Sequence, residues 1–280
     1  VVNRKIGFPA LPDLVIVVAA YVQRNRGALD DPDKIIDSGT RYQSGQIMKA
    51  AIITGASVGI GRETARLFSQ AGYRVFNLSR RPCPVDGVEN LACDLMSSEA
   101  IATACDTILA AIDAAESVAL VHYASQMRKD TAMACDSDSL ADVLDTNVVA
   151  INRVNQQLLP VLPRGSSILY VGSTLSEKAV PGSFSYVISK HAQLGMMRAT
   201  CQDLMGSGIH TALICPGFTD TEMLRTHIGT DPEVEQAVAS LNSFNRLIDP
   251  LEIAELLLWC HQHPVINGAL LHANLGQREA

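Results

Sequence analysis

The sequence predicts an α/β fold: one domain with a doubly wound, parallel, seven-stranded sheet and helices on both faces. Three observations predict it. From residue 48 onward, short apolar runs alternate with longer helical patterns, an order that leaves a parallel sheet covered by helices on each side. The first apolar run opens directly into a glycine-rich turn, Gly55-Ala56-Ser57-Val58-Gly59-Ile60-Gly61. Far downstream, Tyr186 and Lys190 stand four residues apart in a helical pattern, which puts them on one helix face a turn apart.

The elements follow in order. Lys49 to Thr54 has the composition of a buried first strand. The glycine turn leads into a helix whose apolar face includes Ala65, Leu67 and Phe68. Strand, glycine-rich turn and helix together present backbone N–H groups and a helix N-terminus to a pyrophosphate. Glycine is needed where the chain turns sharply and phosphate must approach the backbone. The second strand is expected at Tyr73 to Leu78, the third at Val88 to Cys93 and the fourth at Val118 to Val121. The fifth is expected at Ser167 to Val171, the sixth at His210 to Cys215 and the seventh at Ala269 to His272. Helices are expected at Glu99 to Ala115, Ser139 to Leu159 and Tyr186 to Met205. In such a sheet the ligand crevice lies at the strand C-termini, where the strand order reverses.

Tyrosine alone is a poor base, with a pKa of about 10. A fixed positive charge beside it favours the phenolate, so Lys190 is expected to bring Tyr186 toward neutral pH as a proton donor and acceptor.

Thr54-Gly55-x-x-x-Gly59-x-Gly61 followed by Tyr186-x-x-x-Lys190 resembles the short-chain dehydrogenase/reductase family, with its Rossmann-like fold. Asn147, in Asp145-Thr146-Asn147-Val148, matches the family's helix asparagine. Ser173 matches its catalytic serine, and Pro216-Gly217-Phe218-Thr219-Asp220-Thr221 matches its Pro-Gly loop. Asn267-Gly268-Ala269 resembles the start of its last strand. The resemblance implies hydride transfer between a nicotinamide and a carbonyl or alcohol carbon. Tyr186 then exchanges the proton, Lys190 tunes Tyr186 and holds the nicotinamide ribose, Ser173 binds the carbonyl oxygen, and Asn147 holds a relay water. It further implies cofactor contacts from Gly55, Ser57, Gly59, Ile60, Gly61, Asp94, Leu95, Ala124, Tyr186, Lys190, Pro216, Gly217, Thr219 and Thr221. A homodimer or homotetramer is implied by resemblance alone.

One stretch departs from the pattern. Where the family carries Asn-Asn-Ala-Gly, this chain has His122-Tyr123-Ala124-Ser125. No proton-transfer residue is lost, but the local cofactor geometry is put in question. His122 is read as a core histidine rather than a catalytic one.

Cofactor preference turns on the end of the second strand. An acidic residue there would receive the adenosine ribose hydroxyls and repel a 2′-phosphate. Here Ser79 takes that place, followed by Arg80 and Arg81. Guanidinium groups bind phosphate through their fork geometry, so NADP(H) is expected over NAD(H), with Ser79 and Arg80 on the phosphate and Arg81 a second contact.

Composition narrows the class. The chain has 280 residues and a formal net charge of −7, which gives no general attraction to nucleic acid or an anionic membrane. Its 48% hydrophobic and 18% charged residues fit a globular protein. The seven cysteines are scattered, without a Cys-x-x-Cys pair, and read as reduced thiols in a cytoplasmic protein. His261 and His263 form the one close histidine pair, without an acidic partner at ligand spacing, so no metal site is expected. Residues 1–47 are set apart from the 48–280 domain as an extension that is flexible, packed on a neighbour, or upstream of the natural start. Within it, Leu14 to Ala20 is apolar but far short of the ~20 residues a membrane span needs.

Substrate is less legible. Phe218 to Asn245 is expected to cover the substrate with Met223, Leu224, Ile228, Val234, Val238 and Leu241 facing a largely apolar pocket. A 3-oxoacyl thioester or a small carbonyl compound is the expected class. A catalytically weak nucleotide-binding sensor or scaffold is the alternative.

Overall fold

A computed structural model describes residues 48–278; the extension at 1–47 lies outside them. The sheet has seven parallel strands in the order β3-β2-β1-β4-β5-β6-β7. These are β1 Lys49–Thr54, β2 Arg74–Ser79, β3 Glu89–Ala92, β4 Ser117–His122, β5 Ser167–Val171, β6 His210–Pro216 and β7 Ala269–Ala273. The central strands are buried along nearly their whole length, because helices cover both faces. Continuous apolar runs such as Ile168-Leu169-Tyr170-Val171 therefore suit them better than alternation.

Two cores result. On one face Ile52, Leu120 and Ile168 meet helices α2 (Ser98–Ile112), α4 (Ala150–Leu158) and α5 (Phe184–Asp203). On the other, Ile53, Val121 and Ile214 meet α1 (Gly59–Gln70) and α8 (Pro250–Gln262). Burial of each such aliphatic side chain contributes about 1.5–3 kcal/mol.

The expected helix from Ser139 to Leu159 is interrupted. It comprises α3 (Ser137–Leu144), a π-helical segment at Asp145–Val149, and α4. A π segment widens the helix locally and re-aims its side chains; Asn147 sits at its centre. The segment after β6 holds two short helices, α6 (Glu222–Ile228) and α7 (Pro232–Ala239). The order reversal falls between β1 and β4, whose last residues Thr54 and His122 are paired in register. All the candidate site residues gather around the C-terminal ends flanking that point.

Candidate active site

The glycine turn is held from three sides. Asn77, buried in β2, accepts from the Ala56 N–H at 2.9 Å. Thr54 Oγ1 accepts from the Tyr123 and Ala124 N–H groups at 3.1 and 3.2 Å. Gly55 lies so close to the end of β4 that a Cβ there would meet the Ala124 backbone at 3.1 Å. Gly61 is tighter: its Cβ would stand 2.4 Å from the Gly55 carbonyl oxygen. Asn77 was not singled out in the sequence. A polar residue inside an apolar strand is the signal that marks it, because such a group must find a buried partner.

A groove of about 730 Å³ runs from Gly55 and Ser57 past Ala124 to Ser79, Arg80, Arg81, Asp94 and Leu95. The groove has the volume a dinucleotide needs. Its walls include the buried Ser125 Oγ and Gln126 Nε2, neither of which has a hydrogen-bond partner among the described residues. Gly59 and Gly61 do not reach the groove wall. At the far end, Ser79 Oγ donates to the Arg81 carbonyl at 2.5 Å. The Arg81 guanidinium makes a two-point contact with Glu222 of α6, both bonds 3.2 Å. Of the three residues expected on a 2′-phosphate, Arg80 carries the uncommitted cation. Asp94 Oδ1 accepts from the Met96 N–H at 3.1 Å.

A second pocket of about 270 Å³ adjoins the groove, sharing Tyr123, Ser125 and Thr221 with it. Ser173, Tyr186, Lys190, Pro216, Gly217, Thr219 and Ile60 line it. Its apolar wall comes from Leu175, Val180, Phe218, Met223, Leu224 and Ile228. Val234, Val238 and Leu241 do not reach it. α7 is mostly exposed, with Val234 41% accessible, and Leu241 just beyond it is 38% accessible, so only the first half of the segment lines the pocket as expected.

Helix α5 carries the central pair. The Asp130 carboxylate, from the loop after β4, accepts from the Ser185 N–H at 3.0 Å and its hydroxyl at 2.5 Å. This distant cap satisfies a free amide of the helix N-terminus, one residue before Tyr186. Ser173 begins the short 3₁₀ turn Thr174–Ser176, its Oγ accepting from the Leu175 N–H at 3.1 Å, and it lines the same pocket as the Tyr186 phenol. Lys190 Nζ lies 5.4 Å from the Tyr186 ring centroid. It donates to the Val171 carbonyl at 2.9 Å and to Gln193 Oε1 at 3.0 Å.

Burial, and not Lys190, is the leading influence on the Tyr186 phenol. Burial raises the Tyr186 phenol above its ordinary value, with Ser173 opposing it. Burial also pushes the Lys190 ammonium down to about 7. Both partners of Lys190 are neutral oxygens, so no carboxylate offsets the desolvation of its charge.

Asn147 is fully buried and lines neither cavity. Its side chain pins the loop after β4, accepting from the Gln126 N–H at 2.8 Å and donating to the Gln126 carbonyl and Ser189 Oγ at 2.9 Å. Its main-chain carbonyl accepts from Gln193 Nε2 at 2.8 Å. Gln193 therefore bridges Lys190 and the Asn147 carbonyl. The clue was available: Gln193 is a polar residue three positions after Lys190, on the same helix face. His122 is a core residue. Asn155 Nδ2 donates to Tyr170 Oη at 3.1 Å, so Asn155 Oδ1 accepts from His122 Nε2 at 2.8 Å. Burial lowers His122 to about 4.

The family described as enoyl-(acyl carrier protein) reductase matches residues 55–277. The chain belongs to the short-chain dehydrogenase/reductase family. It is 26% identical over 233 residues to carbonyl reductase family member 4 of Danio rerio, covering 80% of this chain and 95% of that protein. Protein FixR of Bradyrhizobium diazoefficiens is 29% identical over 272 residues, covering 90% of this chain and 95% of that protein. That share exceeds what residues 48–278 account for, so the match extends into the first 47. A short-chain dehydrogenase family protein from Francisella tularensis superposes with a TM-score of 0.75 at 26% identity, covering 82% of this chain and 98% of that one. As a short-chain dehydrogenase/reductase, the chain is an NAD(P)-dependent oxidoreductase acting on CH–OH or carbonyl groups. Its seven cysteines are all free thiols. Among the described residues, no helix is long and apolar enough to cross a membrane, and no cluster of side chains could hold a metal.

Proposed function

We propose that this chain interconverts a ketone or aldehyde with an alcohol and prefers NADP(H) to NAD(H). The observation that carries the reading is the convergence of Ser173, Tyr186 and Lys190 on one small pocket that opens into a groove ending at Arg80. Gly55, Ser57, Ala124, Asp94 and Leu95 would hold the dinucleotide along the groove, with Arg80 on a 2′-phosphate. The bound nicotinamide supplies hydride chemistry.

The chain's own residues do the rest. The Tyr186 phenol, kept protonated by burial, gives its proton to the oxygen of a reducible carbonyl. The Ser173 hydroxyl, in the same pocket as that phenol, donates to the same oxygen and stabilises charge as it develops. Lys190, when protonated, supports the phenolate left behind. Gln193 holds Lys190 in place against the Asn147 carbonyl. The apolar wall from Phe218, Leu224 and Ile228 favours a substrate with an aliphatic body, such as a 3-oxoacyl thioester or a small apolar ketone. Seven free thiols and the family's habits support a cytoplasmic homodimer or homotetramer.

Titration with NADPH and NADH, followed by nicotinamide fluorescence, tests the cofactor assignment. Tighter NADPH binding is expected; tighter NADH binding would overturn the preference. One observation favours a second reading, a catalytically weak nucleotide sensor or scaffold. The Tyr123 side chain crowds the glycine turn. Saturable binding without oxidation of NADPH by any carbonyl in a broad screen would favour that reading.

A further inference from the structure

Gly59 and Gly61 lack side chains where a phosphate would need to approach, yet the space they leave is filled. A Cβ on Gly59 would meet Tyr123 Oη at 3.1 Å and the Thr221 methyl at 3.1 Å. A Cβ on Gly61 would meet Tyr123 Cδ1 at 2.7 Å. The Tyr123 ring lies across the turn, with its oxygen beside the Ile60 amide. Ile60 is the second residue of α1, a twelve-residue helix, so its amide is one of the free donors of the helix N-terminus. Those donors are the ones a phosphate oxygen uses.

Strand geometry explains how the ring comes to be there. His122 ends β4 with its side chain in the core against Asn155. The next side chain points to the opposite face of the sheet, toward α1. The Tyr123 N–H is fixed on Thr54 Oγ1, which anchors the backbone beside the glycine turn, and the ring rests over that turn. A shorter side chain at this position would leave the turn open.

We propose that the Tyr123 phenol occupies the pyrophosphate position of the glycine turn and must swing away for a dinucleotide to bind, so that Tyr123 sets cofactor affinity. This rests on the dinucleotide reading above. The ring borders both cavities, so the pocket of about 270 Å³ is the open space beside it. The displaced ring then stands next to the substrate, and cofactor occupancy reshapes the pocket.

The test compares wild type with Tyr123→Asn and Tyr123→Phe by calorimetric and fluorescence titration with NADPH and NADH. Tyr123→Asn is expected to lower both dissociation constants about tenfold, since both dinucleotides carry the same pyrophosphate. Their ratio should not change. Tyr123→Phe keeps the packing of the ring and removes only the phenol oxygen from the turn; about a threefold decrease is expected. Thermal unfolding of each variant checks that it folds. Unchanged or raised dissociation constants in both variants overturn the role of Tyr123 while leaving the dinucleotide reading intact. No saturable binding in any of the three proteins overturns both. NADH binding tighter than NADPH in all three overturns the 2′-phosphate preference alone.

Discussion

Lys190 and Gln193 share a buried hydrogen bond of 3.0 Å, and Gln193 passes the connection on to the Asn147 carbonyl at 2.8 Å. Gln193 is 1% and Lys190 2% exposed. The ammonium is thus held by amide and carbonyl dipoles without a counter-charge, which is why it loses its proton near neutrality.

Replacing that neutral partner by an acid should reverse the effect. Gln193→Glu places a carboxylate beside Lys190 and is expected to raise the pH at which the ammonium is lost. The limb of the pH–rate profile near pH 7 should move upward. Gln193→Leu removes the buried hydrogen bonds to Lys190 and to the Asn147 carbonyl and should cost about 1–3 kcal/mol of stability. An identical pH profile in the Glu variant would show that Gln193 does not act on Lys190.

Tyr186→Phe removes the transferable proton and leaves the ring packing intact. Turnover is expected to fall by about 10²–10⁴-fold, the usual contribution of a positioned acid. Dinucleotide dissociation constants should stay within about twofold. Steady-state rates and fluorescence titration check the two halves separately.

Glu222→Gln releases Arg81 from its two-point ion pair. The pair is exposed, so stability should change by less than about 1 kcal/mol. A second free guanidinium at the groove mouth should tighten NADPH binding several-fold and leave NADH nearly unaffected. Arg80→Ala should weaken NADPH selectively. Equal effects on both dinucleotides would place the 2′-phosphate elsewhere.

Acid should destabilise the fold through His122 and His261, both pushed by burial to about 4. Between pH 6.5 and 4 the unfolded chain binds protons on these residues that the folded chain does not. Stability therefore falls as the pH drops through that window. The loss approaches on the order of 3 kcal/mol per histidine at pH 4. Urea midpoints at pH 7, 5.5 and 4 measure it. His210 is lowered by burial as well, so His122→Asn should flatten the dependence only in part, and an unaltered slope would remove His122 as a source.

The fold was legible because its signals are local. Apolar runs of strand length, the glycine turn and the helical spacing of Tyr186 and Lys190 each lie within a few residues, and their order along the chain is enough for a parallel sheet. β5 matches its expected bounds, and β1 was placed from Lys49 to Thr54 as found. The π segment at Asp145–Val149 was not legible, since weak helix formers such as these also occur in ordinary α-helix and no local pattern marks the wider turn.

The sequence by itself determined the family, the sheet, the gathering of Ser173, Tyr186 and Lys190, and the core character of His122. Tertiary structure alone decided the electrostatics and the closures. Desolvation depends on everything packed around a group, so spacing could not show that burial outweighs charge at Tyr186 and Lys190. Contacts such as Arg81 with Glu222, Asp130 with Ser185, and Tyr123 with Gly59 and Gly61 join residues between 55 and 141 positions apart. Folding brings them together, and local sequence pattern carries no record of which distant side chain will fill a given space.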